Sequence, residues 1–171
     1  MTSITLILGG ARSGKSAYAE QAAEKNNHPK IYIATAEILD AEMAARVTIH
    51  QKRRKNGWET LEVPLALAEN IQNSAYKDSV ILVDCLTLWL SNLMHHQLDI
   101  TQQTQLLVEA LKNTQAEVIL VSNEVGQGIV PDNALARQFR DYAGILHQQI
   151  AAVADRVIFV TAGLPMLLKG K

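Results

Sequence analysis

Residues 46–58 read RVTIHQKRRKNGW and set one imidazole, His50, among five cations: Arg46, Lys52, Arg53, Arg54 and Lys55. Residues 9–16 read GGARSGKS and fit the pattern G-x-x-x-x-G-K-[ST]. Both stretches point to phosphate chemistry. Gly9, Gly10, Ala11, Arg12, Ser13 and Gly14 form a loop whose glycines let the backbone curl, so that N–H groups face phosphate oxygens. A helix opening at Lys15 adds the positive potential of its N-terminus. Lys15 is expected to reach the β- and γ-phosphates, and Ser16 to ligate Mg²⁺. A glycine turn that matches by chance is the plain alternative, and the strand before the loop and the helix after it argue against that. Such a loop needs a carboxylate near the metal. The run Val80-Ile81-Leu82-Val83-Asp84 ends an apolar strand on an acid, which reads as the Walker B residue; a helix cap for the segment from Cys85 is the other reading.

The histidine is expected on a helix over Ala41–Lys55, ended by Asn56-Gly57. On it Leu39, Met43 and Val47 form one stripe at i, i+4, and Arg46, His50 and Arg54 form a second about 100° round. Arg53 joins that second face. A solvated basic face with an incidental histidine would look the same. Beside a triphosphate site, however, the cations have a use. Like charges favour the neutral imidazole, which is a nucleophile. Attack on an α-phosphorus would displace pyrophosphate and leave a nucleotide on His50, with the arginines stabilising the developing charge.

The elements that must position these groups alternate along the chain. Strands are expected at Ile4–Leu8, Ile31–Ala34, Thr60–Val63 (short), Val80–Val83, Glu117–Ser122 and Arg156–Val160. Helices are expected at about Lys15–Lys25, from Pro64 to about Ser74, at Cys85–His96, Thr101–Asn113 and Asn133–Ala154. The strands are continuous apolar runs, as in a parallel sheet buried on both faces. The expectation is an α/β doubly wound, mostly parallel sheet flanked by helices, forming one domain over residues 1–171.

Composition narrows the function classes. Of 171 residues, 48% are hydrophobic and 19% charged, with a net charge of −1, which argues against a general nucleic-acid binder. The basic stretch is thus a local device. Cys85, the one cysteine, reads as a buried thiol rather than a nucleophile. No apolar run reaches membrane-spanning length and ITLIL is too short for a signal-peptide core, so the expected compartment is the cytoplasm.

Together the motifs resemble the bifunctional adenosylcobinamide kinase / adenosylcobinamide-phosphate guanylyltransferase family of adenosylcobalamin (vitamin B12 coenzyme) synthesis. The matching stretches are GGARSGKS at 9–16, YIATAEILDAEMAAR at 32–46, His50 four residues later, WETLE at 58–62, VDCLT at 83–87, NEVGQGIVP at 123–131 and RQFRDYAG at 137–144. The resemblance implies that a nucleoside triphosphate, ATP or GTP, phosphorylates the hydroxyl of the aminopropanol arm of adenosylcobinamide. GTP then loads His50 with GMP, and adenosylcobinamide phosphate takes the GMP to give adenosylcobinamide-GDP. By similarity Gly9–Ser16, Ala34, Thr35, Ala36, Gln51, Lys52, Arg53, Arg54, Glu62 and Asp84 contact guanine nucleotide, Gln51 and Lys52 matching in position rather than residue type. Mg²⁺ on Ser16 and Asp84, and a homotrimer, are implied in the same way.

The general base for the hydroxyl is not visible in the sequence. In Asn123-Glu124-Val125-Gly126-Gln127-Gly128, turn geometry and substrate contact both stand as readings. Arg137 and Arg140 read as solvated. His147 stands where the family pattern has asparagine and reads as structural or interfacial, His28 as a loop residue, and His95 and His96 as capping or solvent-facing. Two rival functions remain: a small-molecule kinase without nucleotidyl transfer, which predicts no covalent nucleotide on His50, and a nucleotide-dependent switch with negligible chemistry.

Overall fold

The structure is a computed structural model that describes residues 2–37 and 57–170. The expected helix over Ala41–Lys55, with His50, Gln51, Lys52, Arg53 and Arg54, lies outside the described residues.

Seven strands form one sheet in the order β3-β2-β4-β5-β1-β6-β7. They are β1 (Ile4–Gly9), β2 (Lys30–Ala34), β3 (Trp58–Glu62), β4 (Val80–Asp84), β5 (Glu117–Asn123), β6 (Arg156–Thr161) and β7 (Leu164–Lys169). All neighbours run parallel except β6 and β7, which are antiparallel. The helices are α1 (Lys15–Glu24), α2 (Leu67–Ile71), α3 (Leu86–His95), α4 (Ile100–Asn113) and α5 (Ala134–Val153). The doubly wound, mostly parallel sheet expected from the sequence is what forms.

Both faces of the central strands are covered, which is why those strands are apolar at nearly every position. On one face Ala19 and Ala23 of α1 pack against Ile7, Tyr32, Leu82, Ile119 and Val160. On the other, Leu67, Trp89, Leu93, Leu107 and Leu146 of the remaining helices cover Leu6, Ile33, Ile81, Val83 and Leu120. Each fully buried Leu or Ile contributes about 1.5–3 kcal/mol. In α4 the buried residues Ile100, Thr104, Leu107 and Leu111 fall on one helical stripe, and Asp99 caps the start by accepting from the Gln102 amide. Asn133 caps α5 in the same way, accepting from the Ala136 amide.

Two expectations need correction. The helix from Pro64 to about Ser74 is only the five-residue α2, followed by a 3₁₀ turn at Ser74–Tyr76. Asparagine side chains compete with the ladder there: Asn70 bonds back to Ala66 O, and Asn73 accepts from the Ala75 amide. The chain also continues past Arg156–Val160. A turn with positive φ at Ala162 (51°) and Gly163 (77°) leads into β7, an edge strand exposed along its whole length.

Candidate active site

Strand register gathers the chemistry at the carboxyl edge of the sheet. Glu62 is level with Ala34, and Ala34 with Asp84. Two residues beyond Asp84 on the β5 ladder, Asn123 is level with Gly9, where the glycine loop begins. Parallel strands in this order leave a crevice at their carboxyl ends, the usual ligand position in such sheets.

The loop is braced from both sides. Glu124 N donates to Gly9 O at 2.9 Å, and Gly163 N, from the β6–β7 turn, donates to Ser13 O at 2.8 Å. Two glycines are required for different reasons. A Cβ on Gly9 would lie 2.4 Å from Val160 O, so its need is space. Gly14 has φ of 96°, so its need is conformation, and it opens α1 as the N-cap. The Ser13 hydroxyl oxygen is buried without a hydrogen-bond partner among the described residues. A loop holding a polar atom in reserve fits a phosphate cradle.

Lys15, only 8% exposed, turns its Nζ back onto Gly10 O at 3.0 Å. Burial pushes its ammonium below the ordinary lysine range, while Cys85 and Asp84 oppose the shift. Asp84 thus lies within the electrostatic reach of Lys15, and its Oδ2 accepts from the Tyr32 hydroxyl at 3.3 Å. Ser16 stands in the first turn of α1. Ser16 and Asp84 are the residues that would hold Mg²⁺. No group of three or more His, Cys, Asp or Glu able to hold a metal occurs among the described residues.

The segment leading toward His50 is anchored by buried polar contacts. Thr35 Oγ1 accepts from Cys85 N at 2.9 Å and donates to Cys85 O at 2.7 Å. Asn92, on α3, donates to Thr35 O at 2.7 Å and to Pro64 O at 3.0 Å. Ala36 follows half-buried, and Glu37 pairs with His96 at 2.9 Å. His96 is the C-cap of α3 and exposed, as expected, and its pairing with Glu37 also ties α3 to this segment. Cys85 is buried as expected, and burial, with Asp84 adding to it, pushes its thiol up.

The structure thus brings Gly9–Ser16, Ala34–Ala36, Glu62 and Asp84 to one edge, with Glu62 exposed at its far end. Sequence reasoning missed three partnerships. Arg137, read as solvated, donates to Pro131 O at 2.9 Å and Asp132 O at 2.6 Å, and so ties down the loop after β5. His147 Nε2 is 2.7 Å from the fully buried Ser122 Oγ. Its Nδ1 is 3.7 Å from Glu124 Oε2. No local sequence signal encodes the His147 contacts, because the partners come from different elements, and the Arg137 acceptors are backbone carbonyls without a residue-type signature.

Comparison with known proteins follows the same lines. The family described as "Cobinamide kinase / cobinamide phosphate guanyltransferase" matches residues 5–168. The bifunctional adenosylcobalamin biosynthesis protein CobP of Pseudomonas aeruginosa is 49% identical over 170 residues, covering 97% of each chain. The bifunctional adenosylcobalamin biosynthesis protein CobU of Salmonella typhimurium is 42% identical over 180 residues, covering 96% of this chain and 98% of that one. Among solved structures, an ATPase from a bacterial type III secretion system superposes with a TM-score of 0.58 at 10% identity, over 93% of this chain and 51% of that one. The flagellar accessory protein FlaH of Methanocaldococcus jannaschii superposes at 0.56 and 15% identity, over 99% and 79%. At these identities the structural likeness shows the fold alone.

Proposed function

The chain belongs to the cobinamide kinase / cobinamide phosphate guanyltransferase family, and on that premise we propose how one nucleotide site serves both reactions. The chain is a bifunctional enzyme of cobalamin biosynthesis, a cobinamide kinase and cobinamide phosphate guanylyltransferase. Its substrates are adenosylcobinamide, adenosylcobinamide phosphate and nucleoside triphosphates. A single domain over residues 1–171, cytoplasmic and assembled as a homotrimer, is the form in which we expect it to act. Among the described residues no helix is long and apolar enough to cross a membrane.

In the kinase step the amides of Gly9–Ser16 hold the β- and γ-phosphates, and Lys15 exchanges its contact with Gly10 O for phosphate oxygens. Ser16 and Asp84 would hold Mg²⁺, which neutralises charge on the phosphates when bound. In the second reaction a His50 nitrogen attacks the α-phosphorus of GTP and pyrophosphate leaves. The phosphate of adenosylcobinamide phosphate then displaces His50 from that phosphorus, giving adenosylcobinamide-GDP and the free imidazole. Arg53 and Arg54 offset the charge that develops on the phosphates, Gln51 and Lys52 line the same stretch, and Ala34–Ala36 with Glu62 contact the guanine nucleotide.

The observation that carries this reading is the strand register, which sets Glu62, Ala34, Asp84 and Gly9 along one edge with Lys15 buried in the field of Asp84. Intact-protein mass spectrometry after incubation with GTP and Mg²⁺ tests it. A gain of one GMP in the wild type and none in His50→Ala is expected. No adduct on a protein that binds GTP would leave a kinase without a guanylyl-histidine.

A further inference from the structure

Phosphorylating an alcohol requires an acceptor for its proton, and the acids along the sheet edge are not equally placed. Asp84 sits in the field of Lys15, Glu37 is paired with His96, and Glu62 is on β3, with three strands between it and β1. Glu124 follows β5, the direct neighbour of β1, and its amide donates to Gly9 O at 2.9 Å. Its backbone is therefore tied to the start of the glycine loop.

The Glu124 carboxylate is held without being used up. Oε1 accepts from the Gly126 amide at 2.5 Å, and Oε2 faces His147 Nδ1 at 3.7 Å. A carboxylate has about four acceptor positions, so capacity for a hydroxyl remains. The side chain is 21% exposed, which leaves it reachable. His147 is itself constrained: it is 7% exposed, and its Nε2 contacts the fully buried Ser122 Oγ at 2.7 Å. Its Nδ1 is buried and has no hydrogen-bond partner among the described residues. A carboxylate can only accept, so the tautomer that satisfies all three groups has Ser122 donating to Nε2 and Nδ1–H directed at Glu124. A sub-ångström shift of Glu124 would close that contact.

Resting on the kinase reading above, we propose that Glu124 is the general base for the adenosylcobinamide hydroxyl and that His147, backed by Ser122, is the residue that positions it. The hydroxyl oxygen bonds to the γ-phosphorus. The bond from that phosphorus to the β,γ-bridging oxygen breaks, and the nucleoside diphosphate leaves with its electron pair. The hydroxyl proton passes to a carboxylate oxygen of Glu124 and from there to solvent. Burial lowers the His147 pKa, with Glu124 opposing, which keeps the imidazole neutral and Glu124 free of a cationic partner that would weaken it as a base.

The test follows single-turnover phosphorylation of adenosylcobinamide by ATP and Mg²⁺ with the full chain, and in parallel the GMP adduct formed from GTP. Glu124→Gln keeps an acceptor for the Gly126 amide and removes the base. Its phosphorylation rate is expected to fall about 100-fold or more, with KM for ATP changed less than about threefold and a GMP adduct still formed. A rate within about threefold of wild type would overturn the proposal, as would an effect on KM alone or loss of both reactions together. His147→Leu is expected to slow the same step about tenfold, and His147→Asn, whose amide keeps a donor and an acceptor, to restore it. Equal defects in the two His147 variants would remove the positioning role. A wild type that forms the GMP adduct but never phosphorylates adenosylcobinamide would overturn the kinase reading, and the base with it.

Discussion

Gly9→Ala is the substitution whose consequence is set most directly by geometry. Its new methyl would lie 2.4 Å from Val160 O and 2.6 Å from Ser13 Oγ, against ordinary contact at 3.4–4 Å. The serine can rotate away, but the carbonyl belongs to the β6 backbone and cannot. Relief requires the ends of β1 and β6 to part by roughly 1 Å, straining the Gly9 and Val160 pairing and the Glu124 N to Gly9 O bond. Overpacking of this kind costs about 1–3 kcal/mol, and a weakened hydrogen bond adds about 1 kcal/mol. For a chain of 171 residues, each kcal/mol shifts Tm by about 2–4 °C, so a fall of about 4–16 °C is expected. Gly10→Ala is the comparison, since nothing lies within 4 Å of its added Cβ, and its Tm should stay within about 2 °C. Melting curves by circular dichroism, with ATP affinity by calorimetry, read both. A Gly9→Ala protein that melts and binds ATP like the wild type would show that the loop is not held against β6 as described.

Asp84→Asn keeps an acceptor for the Tyr32 hydroxyl, so its Tm should hardly move. Its nucleotide turnover should fall at least about tenfold and need more Mg²⁺, and near-normal turnover in a Mg²⁺ titration would discard the metal role. His147 gives a pH prediction whose sign follows from burial. Its folded pKa lies below the ordinary histidine value of 6.5, so on acidification the unfolded chain takes up this proton first. The associated stability is present above that value and is lost as pH falls from it toward the folded pKa. Urea midpoints at about pH 7.5 and 5.5 should therefore separate more for the wild type than for His147→Asn, and equal separations would refute the linkage.

Which parts of the molecule can be read from sequence depends on whether their determinants are local. The loop at 9–16 is encoded by adjacent residues, and β4 with its terminal Asp84 by one uninterrupted apolar run. The edge strand β7 has no such mark. It reads LPMLLK, has no buried face to impose alternation, and carries Pro165, which an edge position tolerates. Its one local sign is Ala162-Gly163, the pair that takes positive φ in the turn. Contacts across the fold leave still less trace. Ser122 and His147 are 25 residues apart, and only the packing of α5 on the sheet brings the imidazole to that hydroxyl. Arg137 looked solvated because its acceptors are backbone carbonyls, which carry no residue-type signature.

The braces on the glycine loop bear on how one cradle can serve two reactions. Its shape is fixed from β5 through Gly9 O and from the β6–β7 turn through Ser13 O, neither of which involves a phosphate. A buried hydroxyl without a partner, as Ser13 is among the described residues, costs about 1–3 kcal/mol, and the neighbouring strands can offset that where an isolated loop could not. A cradle held by its neighbours need not be rebuilt for each nucleotide. The two reactions would then differ in which nucleophile reaches which phosphorus: the substrate hydroxyl on the Glu124 side of the loop, and His50 from the segment that leaves Thr35 and Glu37. The strands that lead to Glu124 and to Thr35, β5 and β2, lie on either side of β4, which carries Asp84. Substitutions at Glu124 and at His50 should accordingly impair separate reactions, whereas a change that deforms the loop itself, such as Gly9→Ala, should slow both by a similar factor.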